Sequence, residues 1–296
     1  MLYMSSPPPE CKILFLYTEA DLPGPLPSIE AIEANPDFTN KFPSWFIFIG
    51  NHFFVKYGTA IEPLEAENMM FVRQQAKLPV PRVFGVYQRQ LAPCEAITYI
   101  VMGRIEGGSL DRVWNNLNAE QRLQISHQLK DTFARLPAVP HQGFFGSLDR
   151  TKLRDFLFTV GENTKQITWP GDTEEELLEC FVTSIRARRP NSPQGMAKYM
   201  QDLFLKVYKG SGSAVFTHGD LQMRNILVQP DGSITIIDWA MSGWYPTYWE
   251  YVAAISGFDS SFTRPLDDWC TFLVSFLEEF PNHLAWTHVI RKSKYF

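Results

Sequence analysis

Two stretches decide how this chain reads: Thr217-His218-Gly219-Asp220-Leu221-Gln222-Met223-Arg224-Asn225-Ile226-Leu227, and Ile236-Ile237-Asp238-Trp239 shortly after it. Ile226–Val228 and Ser233–Ile237 are short and β-prone, and Pro230-Asp231-Gly232 between them is a turn signal. The spacing therefore predicts a hairpin entered by a loop. Asp220 and Asn225 bracket that loop, and Asp238 ends the returning strand. A hairpin brings its two ends together, so three oxygen-bearing side chains converge. Magnesium prefers such oxygen ligands, shared with phosphate and water. An aspartate beside them is placed to take a hydroxyl proton during in-line phosphoryl transfer.

Working outward, residues 1–44 are rich in proline, with Pro7-Pro8-Pro9, Pro23, Pro25, Pro27, Pro36 and Pro43. They read as an arm lying over the domain, in which only Ile13–Tyr17 and Ile29–Ala34 look able to order. From Trp45 the texture changes. Trp45–Ile49 and Phe53–Lys56 flank Gly50-Asn51 as a hairpin. A helix follows, with Thr59 and Glu62 spaced as a capping box and Pro63 in the first turn, running to Leu78. Strands are expected at Val83–Tyr87 and Ala96–Met102. Gly103–Gly108 carries three glycines and suits a connector. Helices then dominate, at about 118–136, 173–187, 195–209, 248–256 and 267–280, with breaks at Pro137–Gly146 and Arg188–Gln194. Ala214–Thr217 adds a strand to the catalytic island. The expected class is α+β: a small β-rich lobe over 45–103 and a large helical lobe over 104–296.

Composition bounds the function. The 296 residues are 45% hydrophobic and 14% aromatic, with a formal net charge of −5. That supports a sizeable core and argues against a nucleic-acid binder. Cys11, Cys94, Cys180 and Cys270 lie far apart with no C-x-x-C pair, so they read as buried thiols in a reducing compartment. The apolar run Ile13–Tyr17 is too short for a leader or a membrane span. The expectation is a cytoplasmic protein without a membrane partner.

The motif residues resemble the catalytic loop of the kinase-like superfamily, where D-x-x-x-x-N and a later aspartate recur. More narrowly, His218-Gly219-Asp220-Leu221 with Asn225-Ile226-Leu227 and Ile236–Trp239 is similar to the aminoglycoside phosphotransferase and choline kinase-like family. Ile237 to Tyr251, ending in Gly243-Trp244-Tyr245-Pro246 and Tyr248-Trp249-Glu250-Tyr251, resembles its fungal members in particular. So do Leu78–Val83 and Gly146–Asp149. The resemblance spans roughly residues 45 to 257.

What the resemblance implies is a bilobal protein kinase-like fold using ATP and Mg²⁺. Asp220 would be the base, and Asn225 and Asp238 the metal ligands. Lys56 would hold the α- and β-phosphates, with Glu67 aiming it and Glu65 the alternative. Gly103 and Ile105 would meet adenine through their main chain, and Ile237 would lie beneath it. His218 would hold the loop rather than move protons. The acceptor would be a hydroxyl of a small molecule. Departures from the pattern point the same way. No glycine-rich loop precedes Lys56, no Ala-Pro-Glu segment follows, and no arginine follows His218, which disfavours a protein substrate. Gln222 and Met223 replace the His-Pro of many relatives, although choline kinases carry glutamine at that place. Ala240 stands where many have glutamate. These changes keep open a second reading, a catalytically silent nucleotide-binding pseudokinase or scaffold. A third is an enzyme acting on a bulky natural product, with Trp239, Trp244, Tyr245, Tyr248 and Trp249 facing a ring-bearing acceptor. Ordinary packing of those rings is the competing account. Helix 173–179, with four glutamates, would attract a cation or merely be solvated.

Overall fold

A computed structural model of the chain describes residues 11–18, 22–155, 171–188, 194–208, 213–256 and 268–292. The Pro7-Pro8-Pro9 run and the centre of the expected break after residue 188 lie outside the described residues. The chain divides into two compact units. One runs to Phe71 and adds Val80–Glu106; the other comprises Val72–Pro79 and everything from Gly107.

In the first unit the described strands form a five-stranded sheet: β1 (Cys11–Leu16), β2 (Trp45–Ile49), β3 (Phe53–Gly58), β4 (Val83–Ala92) and β5 (Glu95–Gly103). Their spatial order is β1-β4-β5-β3-β2, every pair antiparallel. Gly50, at φ 56°, turns β2 into β3 as the sequence predicts. Because side chains alternate along a strand, Val55 and Tyr57 enter one face and Lys56 the other. The buried face carries Ile47, Val55, Tyr57, Tyr99 and Val101. The arm covers it. Helix α1 (Ile29–Glu33), capped by the Ser28 hydroxyl on the Ala31 amide at 3.2 Å, sinks Ile29 and Ile32 into that core. Each such side chain contributes roughly 1.5–3 kcal/mol, so the proline-rich arm supplies core, not only cover.

Helix α2 spans Pro63–Gln75. It begins at Pro63, so Thr59 lies too far upstream to cap it, in contrast to the expected capping box. Pro63 needs no amide partner and its ring sets a helical φ, which makes it a natural first residue.

In the second unit α3 (Leu110–Val113) and α4 (Ala119–Phe133) come first, the latter started by a reciprocal capping box between Asn118 and Gln121. Then follow α5 (Glu174–Arg188) and α6 (Gln194–Tyr208). Glu176 of the expected acidic face serves the start of α5. It accepts the Asp172 amide at 2.7 Å, while the Thr173 hydroxyl accepts the Glu176 amide. The strands β6 (Gly108–Ser109), β8 (Ile226–Val228) and β9 (Ile234–Ile236) form one small sheet. β7 (Ala214–Thr217) pairs with β10 (Gly243–Pro246), a strand the sequence reading did not anticipate. Helices α7 (Trp249–Ser256), α8 (Trp269–Leu273) and α9 (Pro281–Lys292) close the chain.

Two expectations are corrected, and the choice between two readings of the aromatic cluster is decided for packing. Residues 267–280 do not make one helix: α8 ends at Leu273, and α9 starts at Pro281. Proline disfavours a helical residue before it but suits a first turn. The rings of Trp239, Trp244, Tyr245, Tyr248 and Trp249 are all essentially buried, so they are core and present no surface to an acceptor. Their area is what a lobe of short elements needs to hold together. Of the thiols only Cys180 is buried. Cys11 opens an edge strand, Cys94 sits in the β4–β5 turn, and Cys270 lies in the first turn of α8, places that leave them exposed. Among the described residues no helix is long and apolar enough to cross a membrane.

Candidate active site

The hairpin β8–β9 positions the carboxylates. Its register pairs Ile226 with Ile236 and Val228 with Ile234. Its tip is held by Asp231, whose Oδ1 accepts the Ser233 amide at 2.9 Å and hydroxyl at 2.6 Å. At the open end the Ile237 amide donates to the Asn225 carbonyl at 2.9 Å. That bond brings the backbone just before Asp238 against Asn225. Asp238 itself adopts φ 66°, a left-handed conformation shared among described non-glycine residues only with Lys77 and Arg150. Aspartate tolerates it better than most side chains, and such strain concentrates where function fixes the backbone.

Asp220 is tied from three sides. Asn225 Nδ2 donates to its carbonyl at 2.8 Å and its Oδ2 at 3.0 Å. Gln222 Nε2 donates to its Oδ1 at 2.8 Å. Arg224 reaches both oxygens, at 3.1 and 3.3 Å, and also donates to the Gln222 amide oxygen. The Asn225 amide nitrogen faces Asp220, so its oxygen turns the other way. A carboxamide oxygen and a carboxylate are the hard-oxygen donors that suit magnesium, so Asn225 and Asp238 have the chemistry to hold one together with phosphates.

His218 is fully buried, and both ring nitrogens are engaged. The Asp220 amide donates to Nδ1 at 3.2 Å, so Nε2 carries the hydrogen and donates to the Ile237 carbonyl at 3.0 Å. Burial above all pushes the imidazole below its usual pKa, which keeps it neutral. A neutral ring with both nitrogens spent spans the two ends of the site. Trp239 packs on it edge-on at 4.7 Å, and the Ser242 hydroxyl donates to its carbonyl at 3.0 Å.

Glu250, from the first turn of α7, accepts the His218 amide at 2.7 Å, and the Gly219 amide also acts on its charge. Burial first, then the Asp220 charge, push this carboxyl up to about 7, against the two amides. Sequence reading passed over Glu250, although it lies in the quoted Tyr248–Tyr251 run as the one acid opening an apolar helix. It also passed over Arg224, a basic residue inside the Asp220–Asn225 interval and therefore an available partner for the base.

In the first unit Lys56 Nζ meets Glu65 at 2.8 Å to both oxygens. Glu65 is buried and Glu67 exposed, which corrects the expected Glu67 pairing. Residues two apart on a helix point about 200° apart, so only one of the two can face the sheet. Gly103 ends β5 with its amide donated to the Arg82 carbonyl at 2.8 Å. Its amide is therefore already committed within the sheet. Ile105 follows two residues on.

Comparison with known proteins bears on the family and the fold. The model of the phosphotransferase enzyme family matches residues 62–280. The chain belongs to that family. Two curated relatives, both described as subtelomeric hrmA-associated cluster proteins, come from two strains of Aspergillus fumigatus. Each is 31% identical over 137 residues, 41% of this chain and 26% of the relative. The match thus spans about a quarter of the length of those relatives. Among solved structures, the apo form of a thermostable mutant of aminoglycoside phosphotransferase APH(4)-Ia superimposes with a TM-score of 0.51. Identity is 13%, over 84% of this chain and 82% of that one. A second crystal structure of APH(4)-Ia gives 0.50 at 13% identity, over 85% and 78%. The family member therefore has the α+β kinase-like fold that its catalytic loop resembles. At such identity the likeness extends to the fold alone.

Proposed function

We propose that this phosphotransferase-family chain moves the γ-phosphoryl group of ATP, with Mg²⁺, to a hydroxyl of a small molecule. The observation that carries the reading is the clamp at the catalytic loop. Asn225 fixes Asp220 through its amide nitrogen while its backbone carbonyl receives Ile237, next to Asp238. Asp220 takes the proton of the acceptor hydroxyl. The acceptor oxygen attacks the γ-phosphorus, the bond to the bridging oxygen breaks, and ADP leaves with that electron pair. Lys56, aimed by Glu65, holds the α- and β-phosphates. Ile237, Gly103 and Ile105 serve adenine. Asn225 and Asp238 would hold Mg²⁺, which when bound neutralises charge on the phosphates. His218 and Glu250 keep the loop in register, so the chemistry rests on positioning and charge rather than on a covalent intermediate.

A specific observation favours a second reading, the catalytically silent nucleotide binder. Both Asp220 oxygens already accept donors, and Arg224 lies across the carboxylate. One experiment separates the two: ADP release from Mg·ATP across a panel of hydroxyl compounds, for wild type and Asp220→Ala. Turnover in wild type that is lost in the variant supports transfer. A rise in melting temperature with Mg·ATP but no turnover on any acceptor supports the silent protein. Equal turnover in both proteins would remove Asp220 as the base.

A further inference from the structure

The second unit contains a cavity of about 410 Å³ whose lining includes none of Asp220, Asn225 and Asp238. Phe133, Phe216, Tyr251, Phe276 and Phe280 supply its rings, drawn from α4, β7, α7 and the chain after α8. The volume lies within the range of sites that take small organic molecules, and aromatic walls favour a ring-bearing one. Its charged groups are unequal: Glu250 from α7 and Glu278 after α8 against Lys130 from α4.

Glu250 makes this cavity more than a packing defect. One carboxylate oxygen, Oε2, is committed to the His218 amide at 2.7 Å. The other, Oε1, is buried and has no hydrogen-bond partner among the described residues. A buried acceptor left unsatisfied is costly, and a charged donor is the partner that relieves it most. The same side chain lines the cavity and holds the His218 amide, two residues ahead of Asp220. Whatever settles Glu250 also settles the catalytic loop.

We propose that this cavity is an effector site for a small ring-bearing amine, whose ammonium pairs with Glu250 and whose occupancy tightens the loop at His218–Asp220. The binding half stands on the cavity itself. The regulatory half rests on the phosphotransfer reading and is a coupling between two sites, so the amine and the nucleotide must affect each other reciprocally. Glu250 shares the lining with Lys130, Glu278 and Tyr251, and the charge that acts on it is that of Asp220 across the loop. The Glu250 carboxyl sits near 7, so binding is to be measured at pH 8, where it is mostly ionised.

The experiment is calorimetric titration of the full chain with three probes of one shape: tryptamine, tryptophol and indole-3-propionate. Tryptamine is expected to bind at least tenfold more tightly than tryptophol, and indole-3-propionate not detectably. Ala134→Trp, at an exposed rim position of the lining, is expected to abolish tryptamine binding without changing the melting temperature. Equal affinity for the amine and the alcohol would overturn the role of Glu250, and binding that survives Ala134→Trp would overturn the location. Amide exchange at residues 218–221 is expected to slow severalfold with tryptamine, and unchanged exchange would overturn the coupling. None of these readouts uses turnover. A chain that binds tryptamine yet releases no ADP would therefore fail the phosphotransfer reading alone.

Discussion

Lys56 Nζ lies 2.8 Å from each carboxylate oxygen of Glu65, a forked contact between β3 and α2 in which the acid is 3% exposed and the lysine 20%. Glu65→Gln should lower kcat/KM for ATP by roughly 100-fold, because the lysine loses its aim, whereas Glu67→Gln should stay within about twofold. Lys56→Met should be worse for the fold than either. It leaves a buried carboxylate without its cation, a loss of about 3–5 kcal/mol. Steady-state kinetics and urea denaturation on the three variants check this, and a kinetic penalty at Glu67 larger than at Glu65 would refute the pairing.

The same pair shows where sequence stops being legible. The motif around Asp220 reads directly because residues five apart in a loop, and the two ends of a tight hairpin, have little freedom in how they meet. Helix phase is different. A shift of two residues in where α2 begins rotates every side chain by about 200°, and the start depends on whether Pro63 or Thr59 takes the first turn. The rings of Trp239, Trp244, Tyr245, Tyr248 and Trp249 left two readings open for another reason. An aromatic residue at a sheet–helix junction has the same composition whether it faces a substrate or the core, and only the paired strands β7 and β10 decide. Glu250 was hidden because its partner is a backbone amide, which leaves no mark in sequence.

Arg224 reaches both oxygens of Asp220 from an exposed position, its side chain 45% exposed against 25% for the acid. Such a solvent-screened pair contributes at most about 1 kcal/mol to stability, so its purpose is to be sought in the chemistry. Arg224→Met should leave the melting temperature nearly unchanged and lower kcat by roughly 100-fold, the cost of removing a positive donor from the developing charge. Arg224→Lys should recover part of that rate. Asp220→Asn should lose roughly 100- to 10,000-fold. A gain of turnover in Arg224→Met would instead mean that the guanidinium blocks the base.

Gly219 has φ 81°, and a Cβ there would sit 2.6 Å from the Met241 carbonyl oxygen. Neither backbone can yield without moving the loop. Gly232 in the β8–β9 turn has the same φ, but its Cβ would meet nothing closer than 3.6 Å. Gly232→Ala should therefore cost about 1–2 kcal/mol, the left-handed penalty alone. Gly219→Ala adds the collision and should cost clearly more, with activity lost ahead of global unfolding. Paired denaturation curves decide it; equal costs would show that the Gly219–Met241 approach relaxes freely.

His218 and Glu250 are joined by one hydrogen bond and titrate against each other in stability. The Glu250 carboxyl is held near 7 in the folded chain against an ordinary value of 4.5. Between those values the unfolded chain has released its proton and the folded chain has not, so stability falls as pH rises. At about 1.4 kcal/mol per unit the loss by pH 7 approaches roughly 3 kcal/mol. His218 is pushed below its ordinary 6.5 by burial. Its contribution is present above 6.5 and lost as pH falls, because the unfolded imidazole takes a proton that the folded one refuses. The two slopes oppose each other between pH 4.5 and 6.5 and partly cancel in the wild type. Glu250→Gln keeps an oxygen for the amides and removes one slope, so its stability should climb with pH across that window more steeply than wild type. His218→Asn should do the reverse and fall with pH. Urea midpoints at pH 5, 6, 7 and 8 measure both. Parallel curves for wild type and Glu250→Gln would mean that this carboxyl is ionised in the folded chain throughout, and that the loop is held by a charge rather than by a shared proton.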